Sequence, residues 1–168
     1  MRPRAGQILA IGLTGTLCVV AGATPAAAHY YNVGMAAPNF TVRPYSYNSS
    51  WQGPMDRALS NWNATATPAY IGKSSGSSST IVAASYSNTW YGLYTSYGSY
   101  FKIQLNSRTI SADASNFSNF VTSVFVHELG HALSLAHNDL TSIMNHGRPR
   151  NTMTTPQSHD VSDVNAYY

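Results

Sequence analysis

The residues in this chain whose types and spacing could do chemistry lie in one run, His127-Glu128-Leu129-Gly130-His131-Ala132-Leu133-Ser134-Leu135-Ala136-His137. On a helix, positions i and i+4 lie about 40° apart around the axis and about 6 Å apart along it. His127 and His131 can therefore aim two imidazoles at one metal ion. Glu128 is turned about 100° from His127. It misses the ion but reaches a water beside it, as a general base must. His137 cannot join them on a continuous helix, because six residues past His131 is about 240° around the axis. The chain must turn after Leu133 and bring His137 back. Three imidazoles with a fourth position open describe a catalytic zinc site rather than a structural one. Glu128 is the only glutamate of the chain, and three of its six histidines fall in this run.

The run resembles the metzincin zinc-peptidase signature, H-E-x-x-H-x-x-G-x-x-H with a methionine turn downstream. H-E-L-G-H-A-L is similar to the matrixin branch, and Ser142-Ile143-Met144-Asn145-His146-Gly147 is similar to the methionine turn of the astacin branch. The resemblance spans about residues 116–147. It implies a metzincin-like α+β domain with one catalytic Zn2+, and Met144 as an apolar floor beneath the ligands. It also implies an edge strand in the Trp90–Tyr100 region along which an extended peptide substrate pairs as an added strand. His146 stands where the astacin-like pattern has a tyrosine that touches zinc or the oxyanion. Read without the resemblance, it is a solvated loop histidine. Ser134 departs from the pattern, which has Gly there. A helix that must stop commonly does so through one left-handed residue. Ser134 is therefore expected at positive φ, at a cost of roughly 1–2 kcal/mol, with His137 still reaching the metal.

The elements that must position these residues follow from pattern. Phe117, Phe120, Val121, Val124, Phe125 and Leu129 make the site helix apolar on more than one side, as a central buried helix is. It is expected to start near Asn116 or Ser118, with Ser115 as N-cap. A second long helix is expected from Pro54 at its first position, with Met55, Ala58, Leu59 and Trp62 on one stripe. Strands are expected at Phe40–Arg43, ended by Pro44, at Ala69–Gly72, at Thr80–Tyr86 and, by clear alternation, at Tyr100–Asn106. Residues 73–79 and 107–115 read as loops. A last helix is capped by Ser158, with Val161, Val164 and Tyr168 on one side. The tyrosines of the 90–100 region read first as strand fillers and second as a carbohydrate-binding face.

Arg2 and Arg4, the apolar run Ile8–Val20 and Ala26-Ala27-Ala28 form a secretory signal peptide over residues 1–28, leaving one catalytic domain at 29–168. Cys18, the only cysteine, falls within the signal. Of nine Lys+Arg, two are Arg2 and Arg4, so the remainder nearly balances the six Asp+Glu. That argues against a nucleic-acid partner, which usually needs a concentrated basic face. No later stretch is apolar enough to cross a membrane. Five Asp and one Glu are too few for a dense calcium cage, and the spare histidines too few for a second, structural Zn2+. His29 and His159 are read as terminal or capping residues. The expectation is a secreted, extracellular, monomeric zinc endopeptidase acting on extended peptides, with Glu128 as general base. The alternative is a secreted zinc-binding module of the same fold that has lost turnover. A pure binder has no use for Glu128.

Overall fold

The computed structural model describes residues 29–43 and 49–168. The expected signal peptide, and Pro44 as the end of the first strand, lie outside the described residues. The architecture is mixed α+β. Strands β1 (Asn39–Val42) and β2 (Tyr70–Lys73) pair in parallel. Strands β3 (Thr80–Ala84), β4 (Gly92–Ser96) and β5 (Phe101–Asn106) form a mixed sheet in the order β3-β5-β4. β3 runs parallel to β5, and β4 antiparallel. The Arg43 N–H donates to the Ser79 carbonyl across 2.9 Å and joins the two ladders. Phe101, Ile103 and Leu105 of β5 are all fully buried, as their alternation requires.

Two long helices lie against these strands, α1 (Ser49–Asn63) on β2 and α3 (Phe117–Ala132) on β4 and β5. Met55, Ala58, Leu59 and Trp62 of α1 are buried. Burying a side chain such as Met55 stabilises by about 1.5–3 kcal/mol. The Trp62 indole N–H also donates to the Val126 carbonyl of α3 at 2.9 Å. The bond fixes where α1 crosses the site helix. Helix α1 starts one turn earlier than expected, leaving Pro54 inside it. Proline there removes one N–H bond. The preceding turn is held by packing instead, with the Trp51 ring edge-on to Phe117 at 5.0 Å.

Residues 107–113 are not a loop but helix α2 (Ser107–Asp113). Its polar sequence hid it, since Ile110 is its one fully buried apolar side chain, and seven residues are too few to show a period. The buried Asn106 side chain caps it through the Arg108 N–H. The cap of α3 is Asn116 rather than Ser115, accepting from the Asn119 N–H at 3.0 Å. The last helix, α4 (Ser158–Tyr167), is capped by Gln157 rather than Ser158. Asp160 closes the capping box by accepting from the Gln157 N–H at 2.7 Å. Among the described residues no helix is long and apolar enough to cross a membrane.

Candidate metal centre

Helix α3 is buried along nearly its whole length, and its last two turns carry His127, Glu128 and His131. The helix ends at Leu133, and Ser134 takes φ 65°, the left-handed conformation expected of it. The Leu135 N–H then returns to the Gly130 carbonyl at 2.9 Å. This turn reverses the chain and brings His137 back over the helix end. Its Nε2 lies 3.1 Å from that of His127 and 3.0 Å from that of His131.

The outer nitrogens of these rings decide what the inner ones can do. His127 Nδ1 lies 2.8 Å from the Ile143 carbonyl, and His131 Nδ1 lies 2.8 Å from the Leu135 carbonyl. A carbonyl only accepts, so both Nδ1 atoms carry the proton, and both Nε2 atoms present bare lone pairs. His137 has one ring proton to give and cannot satisfy both. Burial holds His131 and His137 down at about 4 and His127 well below its ordinary value. At neutral pH protonation therefore does not supply the missing positive charge. Three converging lone pairs need a cation. Tetrahedral zinc with bonds of about 2.0–2.1 Å spaces its nitrogens roughly 3.3 Å apart, close to the spacing here. The donor set fits Zn2+, and the carbonyl bonds that fix both tautomers are those that metal-binding histidines usually make.

The support behind the ligands reaches into the C-terminal part of the chain. Asp160 is 1 % exposed, and its carboxylate accepts from the Ile143 N–H at 2.8 Å and from the Ser142 hydroxyl. It thereby pins the segment whose carbonyl holds His127. Met144 is fully buried in the same turn, with its sulfur against Gly130 of α3, where any Cβ would collide with it. His146 is exposed, and its Nε2 lies 3.0 Å from His137 Nδ1. It touches the outer side of the His137 ring, not the focus of the three inner nitrogens.

Glu128 is 5 % exposed. Burial pushes its carboxyl up to about 8, against the opposing pull of the Arg148 guanidinium and the Tyr94 backbone N–H. A divalent cation at the imidazoles would pull it down further. Strand β4 passes directly over this carboxylate at Gly92, where a Cβ would run into the Glu128 side chain. The cleft, of about 540 Å3, is lined on one side by Trp90–Tyr94 and on the other by the imidazoles, Glu128, His146, Arg148 and Arg150. Arg148 is itself buried, anchored to Ser123 and to the Asn145 carbonyl, and held down to about 9 by desolvation.

Sequence reasoning missed Gly92, Asp160, Arg148 and Arg150. A glycine at the start of a strand expected to cross the site was a usable signal for Gly92. Nothing local marks the other three, because each reaches the site through the fold. Asp139, two residues after His137, is exposed, and the outer ring nitrogens have other partners.

No protein-family model and no curated protein matches the chain significantly. Solved structures do. A chain of the GM1-bound form of the ECX AB5 holotoxin matches with a TM-score of 0.58 at 14% identity, over 84% of this chain and 86% of that one. Archaemetzincin (AmzA) from Archaeoglobus fulgidus, complexed with malonate, matches with a TM-score of 0.44 at 17% identity, over 74% of this chain and 99% of that one. The first is a likeness of fold: the chain has the α+β fold of a known structure, at an identity too low to carry function with it.

Proposed function

We propose that this protein is a secreted zinc-dependent endopeptidase of the metzincin type. The observation that carries the reading is the meeting of three imidazole Nε2 atoms, two of them stripped of protons by buried carbonyls, beside a buried carboxylate. The resemblance of residues 116–147 to the metzincin signature supports it.

His127, His131 and His137 would hold the ion, which when bound acidifies a water and polarises a carbonyl. Glu128 accepts the water's proton and returns it to the leaving amine. Its burial, which favours the protonated carboxyl, suits a group that must hold a proton between those two transfers. Gly92 and the Tyr94 N–H fix where the carboxylate points. β4 is the outer strand of its sheet among the described residues, and its edge would offer backbone groups to an extended peptide, setting the register of the scissile carbonyl. A buried carboxylate beside the imidazoles favours turnover over a site that only stores a metal. Met144 is the apolar floor, and His146 positions His137. Secretion through a signal peptide at residues 1–28, a monomeric state, and the absence of nucleic-acid or membrane partners belong to the same reading.

The test is metal content with casein cleavage. The secreted protein should carry zinc and cut casein, lose activity to a chelator, and regain it with added zinc. Casein cleavage undiminished after complete zinc removal would defeat the reading.

A further inference from the structure

We propose that His29, His159 and Asp163 form a second transition-metal site, distinct from the His127 cluster, that ties the N-terminal segment to helix α4. The ligating atoms of the three side chains all lie within 4.8 Å of one another. His159 and Asp163 stand at i and i+4 on α4, the spacing that lets two side chains share one ion. Both are nearly buried, with side chains 13% and 6% exposed. His159 Nε2 lies 3.2 Å from Asp163 Oδ2 and 3.4 Å from His29 Nδ1.

Protons satisfy this arrangement poorly. A proton on His159 Nε2 serves either the carboxylate or the His29 nitrogen at full strength, not both. A cation at the common focus serves all three. Two imidazole nitrogens and one carboxylate oxygen select a borderline ion such as Zn2+ or Co2+ over Ca2+ or Mg2+, which want oxygen. The His29 backbone N–H donates to the same carboxylate oxygen at 3.3 Å, which holds the first residue of the segment against α4. The spare histidines are too few for a second site built from imidazoles alone, and Asp163 completes this set.

The position of the site gives it a consequence. The segment that follows His29 runs alongside the turn after α3. The Tyr31 N–H donates to the Ser134 carbonyl at 2.7 Å, the Met35 N–H to the Ala132 carbonyl at 2.8 Å, and the Ala136 N–H to the His29 carbonyl at 2.7 Å. These bonds brace the left-handed turn that returns His137. Anchoring His29 to α4 through a metal therefore stabilises the bracing segment.

The experiment is zinc binding to the secreted protein, read by calorimetry and emission spectrometry and independent of proteolysis. Wild type should bind two equivalents of Zn2+ per chain. The double variant H127A/H131A should keep one, and adding Zn2+ should raise its Tm. Adding H159Q to that background should abolish both the binding and the rise. H159Q alone should bind one equivalent and still cleave casein. One equivalent in wild type, or no zinc-dependent Tm rise in H127A/H131A, overturns the proposal. So does zinc binding by the double variant that H159Q leaves intact. Should H159Q fail to fold, the double variant alone decides.

Discussion

The His127 cluster and the His29 cluster share a plan. Each sets two ligands at i and i+4 of a helix and draws a third from elsewhere in the chain. They differ in what stands behind the ligands. In the first, both helix-borne rings are locked by buried carbonyls, His146 backs the third ring, and Asp160 holds the carbonyl-bearing turn. In the second, the bonds run among the three residues themselves. The first cluster also opens on a cleft with a buried carboxylate beside it. A site fixed by a supporting shell and open to substrate suits chemistry. A site closing one segment onto a helix suits anchoring.

The largest effect should come from breaking the first cluster. His131→Ala removes a ligand whose Nδ1 also fastens the Leu135 turn, and proteolysis should fall to background with that zinc gone. Casein cleavage and metal analysis on the same preparation check it. The next effect needs no change to any ligand. Gly92→Ala drives a Cβ into the Glu128 carboxylate, and misplacing a reacting group by about 1 Å costs about 10²-fold. kcat should drop by that order with zinc content unchanged. An unaltered kcat would mean that β4 does not fix the base.

Much of the first cluster was legible in the sequence. Helical spacing alone placed His127 and His131 together, put Glu128 beside them and demanded a turn before His137. The metzincin resemblance, with Gly in its pattern at this position, pointed to positive φ at Ser134, which the structure shows at 65°. The buried stripes of α1 and α3 and the alternation of β5 were equally plain. Less legible was whatever depends on contacts between distant residues. Asp160 reads locally as a carboxylate in a first helical turn, and only the fold carries it to Ile143. Helix α2 was lost because it is short and polar. The start of α1 was lost because Pro54 is a strong local signal that the Trp51–Phe117 contact overrides. The second cluster was missed because residues 130 positions apart supply it.

Smaller effects sharpen the contrast between the clusters. Asp160→Ala leaves the Ile143 N–H and the Ser142 hydroxyl without their acceptor, at about 1–3 kcal/mol for each buried group. Tm should fall by several degrees, and zinc affinity should fall with it as Ile143 loosens from His127. Unchanged zinc affinity would detach Asp160 from the site. Ser134→Gly relieves the left-handed strain and should stabilise by about 1 kcal/mol, read from denaturant unfolding, with activity kept.

The central claim is that Glu128 performs chemistry at a metal held by others, and Glu128→Gln tests it most directly. The substitution keeps the side chain's size and removes its basicity. Zinc content and casein turnover are measured together on the purified variant. Zinc should remain at the wild-type level while kcat falls by about 10²–10⁴-fold, the usual contribution of a general acid–base group. Wild-type turnover with zinc in place would contradict the account.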